Sequence, residues 1–303
     1  MRARGDTAMG TLRDSMRTAM EIRGYSKRTV EIYLSCVRVF ANHFKRSPLL
    51  ISAKEVESFF HFLRQQHKSD STIHLYYFSL RLFYHINNIS DRLPRFTFRR
   101  IQNKVPMILS QEKVVTILTS CKSLKYRTLF SLAYSSGLRT SELRDLTVRD
   151  IDFDRKQVYV RNGKCGRNRY SILGNKIMQL LHTYMNVYRP HSFLFYNRED
   201  STTRVGKDAI RRELKKLLVK NGIDTHEVHL HTLRHCFATH LMENGTSIFH
   251  IMHLLGHASI YTTMVYLHMQ DLEKLNITSP IDMLELRPNE DTEPQKELFG
   301  ETA

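Results

Sequence analysis

Residues 229–245 read HLHTLRHCFATHLMENG, and this segment determines how the rest of the sequence is interpreted. It has the composition of a helix that ends near Gly245, since glycine favours the position after a last helical turn. His231 and Arg234 lie three residues apart, so both side chains fall on one face of that helix. They lie near its first turn, where backbone N–H groups and the helix dipole favour a negative charge. The segment therefore predicts an anion-binding site.

Histidine is concentrated around this segment, because nine of the 16 histidines lie within residues 226–268. His231 and His235 are four residues apart, a spacing that zinc enzymes use on a helix. However, no glutamate stands between them to act as a base, and no third ligand stands out from the other histidines. Anion binding is therefore the preferred interpretation, and a zinc-dependent enzyme is the alternative.

The sequence upstream of this helix changes its hydrophobic period twice. Residues 110–146 have the apolar spacing of short helices. Three short stretches then alternate apolar and polar side chains on either side of turns, as strands do. These stretches are residues 150–153, 157–160 and 169–173. Helical spacing returns after them, so the pattern predicts an α+β domain, mainly helical, with a small antiparallel β-sheet.

The first third of the chain has four apolar stripes at helical spacing, which predict a compact helical domain. Ser52 and Glu55 form a capping-box pattern before the third stripe. The fourth stripe is rich in aromatic residues, among them Tyr76 and Phe83. Base stacking is one use for such rings, but their helical spacing favours a place in the core.

A basic segment follows the first domain. Between residues 87 and 106 the periodicity lapses, and two prolines and a single acidic residue occur there. We interpret the segment as an interdomain linker that contacts DNA phosphates, the alternative being a solvated linker. Its five basic residues are Arg92, Arg95, Arg99, Arg100 and Lys104.

These observations divide the chain into four parts. We expect a helical domain at residues 8–88, a basic linker at 89–106, a second domain at 107–285 and a tail at 286–303. The tail is polar and carries five acidic residues, so we expect it to be disordered.

The composition restricts the partners. The 303 residues are 41% hydrophobic and 25% charged, as in globular proteins, and the length suits two domains. Lys and Arg number 46 against 30 Asp and Glu, a net charge of +16 that favours a polyanionic partner such as nucleic acid. No stretch approaches the ~20 apolar residues of a membrane span, and no signal peptide is visible. Four scattered cysteines suit a reducing compartment, so we expect a cytoplasmic protein without membrane contact.

Four short motifs together resemble those of the tyrosine recombinase (phage integrase) family. The segment GLRTSEL at 137–143 resembles the family's first arginine box, and His231 to His235 resembles its His-x-x-Arg box. Leu255-Gly256-His257, with Tyr266 nine residues after the histidine, resembles the final box, and Gly163-Lys164 matches the lysine of its β-hairpin. The layout is similar to minimal Xer-like, integron-type or transposon-type recombinases of mobile elements. The first domain resembles the family's helical, SAM-like core-binding domain.

The resemblance implies a reaction at DNA phosphorus. Tyr266 would attack it to form a covalent 3′-phosphotyrosine, while Arg139 and Arg234 hold the non-bridging oxygens. His231 and His257 would add hydrogen bonds, with His231 favoured as the base.

Two further residues complete the implied site. Lys164 would protonate the leaving 5′ oxygen, and Glu142 would orient the arginines or lie on the surface. One phosphodiester replaces another, so the resemblance implies neither cofactor nor metal, and no nucleotide-binding loop is visible.

The resemblance also implies partners. We expect double-stranded DNA with a specific recombination site, a homotetramer on two duplexes, and in some systems a second recombinase or accessory protein. Residues 271–284 would dock on a neighbouring protomer or pack back on their own domain. The alternatives are a DNA-binding accessory protein that has lost catalysis and a topoisomerase.

Overall fold

The computed structural model describes residues 3–98, 106–161 and 168–269. The chain forms two compact units, residues 1–104 and 105–303. The described residues are mainly helical with one three-stranded antiparallel sheet, which confirms the predicted fold class. None of the helices in the described ranges is long and apolar enough to cross a membrane.

Four helices build the first unit, and serine side chains begin three of them. Ser26, Ser52 and Ser69 accept hydrogen bonds from backbone N–H groups of the first turns of α2, α3 and α4. The capping box of Ser52 and Glu55 is confirmed. The helices are α1 (Ala3–Ile22), α2 (Lys27–Phe44), α3 (Ala53–Gln65) and α4 (Asp70–Ile86), with 3₁₀ turns at Pro48–Leu50 and Ser90–Arg92.

Aromatic rings fill the core of the first unit. Phe40 and Phe59 are fully buried, and their rings meet edge to face with centroids 5.0 Å apart. Phe83 of the aromatic stripe is buried and Tyr76 packs against the same core, so the interpretation of the stripe as core is confirmed.

The segment after α4 continues along this first unit. Phe96 and Phe98 pack against its core, and Arg92 donates hydrogen bonds to the carbonyls of Leu49 and Ile51. The described part of the expected linker is therefore held by the first unit, because two aromatic side chains find apolar contacts there.

Within the described residues, the second unit packs eight helices around a small sheet. The strands β1 (Ile151–Asp152), β2 (Gln157–Val160) and β3 (Arg169–Ile172) are antiparallel in that order, with Val158 opposite both Ile151 and Ser171. The helices before the sheet are α5 (Gln111–Ser120), α6 (Leu124–Ser136) and α7 (Thr140–Asp145), followed by a 3₁₀ turn at Val148–Asp150. Those after it are α8 (Asn175–Tyr188), α9 (Lys207–Lys220), α10 (Leu230–Glu243), α11 (Ile248–Leu255) and α12 (Tyr261–Met264), with a 3₁₀ turn at Val265–Met269.

Helix α10, which contains the opening segment, is the most enclosed helix of the site. It packs against α6 and α11, and Leu233, Cys236 and Ala238 on it are fully buried. Because α10 is fixed by this packing, the polar side chains of its first two turns are held in defined positions.

Candidate active site

A glycine turn places Arg139. Gly137 ends α6 with φ of 61°, a left-handed conformation that glycine adopts without steric cost. A Cβ at this position would lie 2.4 Å from the Phe237 ring, so no other residue fits without a shift. The tight turn lets α7 begin directly after Arg139, whose backbone N–H donates to Glu142 Oε2 at 2.8 Å.

Glu142 joins two arginines. Arg139 Nη1 donates to its Oε1 at 2.6 Å, and Arg169 binds both carboxylate oxygens, each at 2.8 Å. Burial raises the pKa of Glu142, but the hydrogen bonds and charge of Arg169, together with those of Arg139, outweigh it and hold the pKa at about 2. Glu142 is therefore ionised at neutral pH and fixes both guanidinium groups.

Arg169 extends this network to α11. Its Nε donates to the carbonyl of Leu254 at 2.7 Å, so all three of its nitrogens are engaged. Gly256, which ends α11 with φ of 63°, lies so close that a Cβ there would be 2.7 Å from Arg169 Cδ. One buried side chain thus connects β3, α7 and the end of α11.

Arg234 lies beside this network, held by backbone carbonyls. It donates to the carbonyls of Gly137 at 2.7 Å and Leu255 at 2.6 Å, and its Nη1 is 3.7 Å from Glu142 Oε2. Burial, and then the charge of Arg139, lower its pKa to about 9, so the guanidinium stays charged at neutral pH. Arg139, Arg169 and Arg234 carry three positive charges against the one negative charge of Glu142, so this arrangement favours an anion.

His257 follows Gly256 and contacts the same arginine. Arg234 Nη2 donates to His257 Nε2 at 3.2 Å, because a guanidinium has no acceptor. The hydrogen of the neutral ring is then on Nδ1, which lies 2.9 Å from Thr263 Oγ1 and donates to it. Burial and the charges of Arg234 and Arg139 lower the pKa of His257 to about 3, so the ring is neutral.

Tyr266 lies in the 3₁₀ turn after α12 and is only 3% exposed. Its ring is nearly parallel to that of His257, at 10° and 6.4 Å between centroids, and its hydroxyl is 3.0 Å from His235 Nδ1. Burial raises the pKa of the Tyr266 phenol, while the charges of Arg234 and Arg139 act in the opposite direction. The phenol therefore lies against a cluster of cations and neutral histidines.

The structure brings together five of the predicted site residues, which are Arg139, Glu142, Arg234, His257 and Tyr266. His231 lies one turn before His235 on α10 and is exposed. Although His231 keeps solvent exposure, partial desolvation of its ring and the charges of Arg234 and Arg139 lower the pKa of His231, so the ring lies near both guanidinium groups.

The remaining predicted residues lie elsewhere. Lys164 lies outside the described residues. So do Arg99, Arg100 and Lys104 of the linker, residues 271–284 and the tail at 286–303. Arg92 and Arg95 belong to the first unit. Among the residues that the structure describes, no group of three His, Cys, Asp or Glu side chains could hold a metal ion.

Sequence reasoning missed Arg169 and His235 as parts of this site. Arg169 occupies an inward position of β3, in register with buried Ser171, and a charged residue there is a signal that it has a buried partner. From the sequence, His235 is only a candidate zinc ligand, because its contact with Tyr266 depends on the tertiary fold.

Comparison with known proteins places this arrangement in a family. The phage integrase family model matches residues 107–273, and the N-terminal SAM-like domain model of phage integrases matches residues 12–87. A "putative integrase/recombinase y4qK" of Sinorhizobium fredii is 31% identical over 282 residues, covering 92% of this chain and 91% of the relative. A "tyrosine recombinase" of Thermosipho africanus is 31% identical over 268 residues, covering 84% and 93%.

Solved structures share the fold. A lambda integrase dimer bound to a core site has a TM-score of 0.69 at 18% identity, over 85% of this chain and 94% of the other. XerH recombinase in a post-cleavage complex has a TM-score of 0.66 at 19% identity, over 83% and 79%. The chain belongs to the phage integrase family, so it is a tyrosine recombinase, an enzyme that breaks and rejoins DNA. The resemblance drawn from the four motifs is thereby confirmed.

Proposed function

We propose that this protein is a site-specific recombinase that cuts and rejoins DNA strands through a covalent 3′-phosphotyrosine on Tyr266. The observation that carries the proposal is that the Tyr266 ring lies parallel to His257, which accepts a hydrogen bond from Arg234 in the cluster of Arg139, Glu142 and Arg234. A phenol beside fixed guanidinium groups suits attack on a phosphodiester, because the guanidinium groups stabilise the negative charge that develops on the non-bridging oxygens.

The chemical step balances without any further reactant. The Tyr266 oxygen forms a bond to the scissile phosphorus, and the bond from phosphorus to the 5′ oxygen breaks. The phenolic proton leaves to a base, for which His231 is the candidate from the family resemblance, and Lys164 gives a proton to the leaving 5′ oxygen. Rejoining is the same step in reverse, so the reaction needs neither metal nor nucleotide cofactor.

Arg139 and Arg234 stabilise the developing charge in different ways. Two backbone carbonyls hold the Arg234 guanidinium in one orientation, so it does not have to reorganise during the reaction. Arg139 keeps 19% of its side chain exposed and faces an incoming phosphate, while Glu142 fixes its direction. His231 adds a hydrogen bond to the same phosphate, whereas His257, whose Nε2 accepts from Arg234 and whose Nδ1 donates to Thr263, orients the Arg234 guanidinium.

The substrate that fits this site is duplex DNA with a specific recombination site, bound by four protomers on two duplexes. Support for a DNA substrate comes from the net charge of +16, from the XerH recombinase structure with a difH substrate and from the lambda integrase dimer bound to a core site. The basic residues at 92–104 would add phosphate contacts, and residues 271–284 would dock on a neighbouring protomer. The free thiols of Cys36, Cys121 and Cys236 fit a cytoplasmic protein.

A suicide substrate tests the proposal. DNA captured covalently by the protein in its host gives the site, and a nick beside the scissile phosphate then traps the adduct. The wild-type protein should accumulate a 3′-phosphotyrosyl adduct, and Tyr266→Phe should bind the DNA without forming one. An adduct in Tyr266→Phe would assign the nucleophile to another residue, and DNA binding without any wild-type adduct would favour a catalytically inactive accessory protein.

A further inference from the structure

The hydroxyl of the proposed nucleophile has a specific partner in this structure. Tyr266 Oη lies 3.0 Å from His235 Nδ1, and the two ring centroids are 5.7 Å apart at 49°. Since Tyr266 is almost fully buried, its hydroxyl needs such a partner, and without one the buried group would cost free energy. His235 supplies it from α10, directly after Arg234.

The state of His235 suits a hydrogen-bond acceptor. Burial, followed by the charges of His231 and Arg234, lowers the pKa of His235 to about 4. A neutral imidazole has one nitrogen that accepts and one that donates. With the hydrogen on Nε2, the lone pair of Nδ1 faces the phenol, and the oxygen of Tyr266 keeps its own lone pairs for phosphorus.

His231 and His235 occupy different environments although they are one helical turn apart. His231 is exposed, and no hydrogen bond joins its side chain to another residue of the described ranges. His235 is half-buried and contacts the phenol. His231 is thus open to a DNA phosphate, whereas His235 faces the nucleophile.

We propose that His235 is a positioning residue for cleavage: its Nδ1 accepts the hydrogen bond of the Tyr266 hydroxyl and holds the phenol beside Arg234 and His257. The inference rests on the proposed function, since it assigns a partner to the nucleophile of that reaction. His235 acts through Tyr266, because its contact is with the phenol and α10 fixes its own position. A histidine next to Arg234, to which the family resemblance assigns no role, would then set the position of the nucleophile before DNA cleavage.

A substitution series separates positioning from other roles. In His235→Leu the ring is replaced by an apolar side chain that cannot hydrogen-bond, whereas in His235→Asn an amide group reaches the position of Nδ1. At saturating nicked DNA, adduct formation by His235→Leu should be about tenfold slower or more, the worth of one buried hydrogen bond. His235→Asn should restore the rate to within about threefold of the wild-type protein, because an amide still binds the phenol.

Three controls exclude a loss of folding or DNA binding. The thermal midpoint and the Kd for the same DNA are measured for every variant and should stay near wild-type values for His235→Asn. His250→Leu makes the matched change at an exposed histidine of α11 and should cleave like the wild-type protein. In a double-mutant cycle, the losses of thermal stability in His235→Leu and Tyr266→Phe should not add, because each removes the same hydrogen bond.

Adduct formation by His235→Leu at the wild-type rate would overturn the inference, and so would additive losses of thermal stability in the double-mutant cycle. Cleavage by His235→Asn as slow as by His235→Leu would also overturn it, since the ring would then be needed as a proton acceptor. A wild-type protein that forms no adduct would contradict the proposed function instead, while the cycle would still report whether the two side chains are coupled.

Discussion

The two units bury different kinds of side chain. Within the described residues, the first unit buries no charged group, and its core consists of aromatic and aliphatic side chains such as Phe40, Phe59 and Leu80. The second unit has an apolar core too, but it also buries Glu142, Arg169 and Arg234 close together. A buried apolar side chain stabilises the fold against any apolar neighbours, whereas a buried charged side chain requires a specific partner that compensates its charge. The charged cluster of the second unit is therefore where the fold and the chemistry depend on the same contacts.

The largest effects should come from breaking each core at its centre. We expect Phe59→Ala in the first unit and Arg169→Met in the second to cost about 3–5 kcal/mol of unfolding free energy each. The first leaves a cavity, and the second leaves the Glu142 carboxylate buried without its bidentate partner. Urea unfolding measures both losses, and hydrogen exchange should locate each within its own unit.

A matched control lies on the surface of the second unit. Arg204 pairs with Asp145, and both side chains are about half exposed. Arg204→Met should cost at most about 1 kcal/mol, since exposed ion pairs contribute little. An Arg169→Met protein as stable as Arg204→Met would show that the buried network does not hold the second unit together.

The two units also differ in how far the sequence predicts them. Helical periodicity and the capping box of Ser52 and Glu55 are sufficient to predict the helices and core of the first unit, because these signals are local. In the second unit the motifs identified Arg139, Arg234 and Tyr266 through family resemblance. The partner of Glu142 is Arg169, 27 residues further along the chain, and the partner of Tyr266 is His235, 31 residues before it. Such pairs depend on tertiary packing, which periodicity does not encode.

The second prediction concerns the exposed side of the charged cluster. Arg139→Ala should lower the rate of covalent adduct formation by about 10²–10³-fold, the usual effect of removing one donor to a developing oxyanion. Arg139→Lys should recover only part of this rate, because an ammonium group lacks the forked donors of a guanidinium. Single-turnover cleavage of the nicked substrate measures both. Full activity of Arg139→Lys would show that a point charge is sufficient.

The third prediction is a loss of stability at low pH that is confined to the second unit. The folded-state pKa of Glu142 is about 2, below its ordinary value of 4.5, so its stabilising contribution is complete above that ordinary value. It is lost as pH falls from about 4.5 to about 2, and the loss should approach about 3 kcal/mol in the second unit. Urea unfolding as a function of pH measures it. Glu142→Gln should remove this part of the pH dependence, and an unchanged slope in that variant would assign it to other carboxylates.

The fourth prediction concerns Lys164. Because Lys164 is proposed to protonate the leaving 5′ oxygen, its removal should slow cleavage of ordinary DNA by about a hundredfold. A 5′-bridging phosphorothiolate leaves as a thiolate and needs little protonation, so Lys164→Ala should cleave it at nearly the wild-type rate. Arg139→Ala should cleave both substrates slowly, because Arg139 stabilises charge on the non-bridging oxygens and not on the leaving group. Equal defects of Lys164→Ala on both substrates would leave only a phosphate-binding role for this lysine.

The smallest effect should come from exposed helix caps, where the two units ought to behave alike. Ser69 accepts a hydrogen bond from the backbone N–H of Thr72 in α4 at 3.3 Å, and Ser110 accepts one from Lys113 in α5 at 3.4 Å. Ser69→Ala and Ser110→Ala should each cost about 1 kcal/mol, since each leaves one N–H of a first turn without its side-chain acceptor. Replacement by threonine or aspartate should preserve most of the stability, as both can cap a helix. Urea unfolding of these six variants measures the effects. Similar losses in the two units would confine their difference to the buried residues, whereas a much larger loss in Ser110→Ala would mean that the second unit depends on polar contacts at its surface as well.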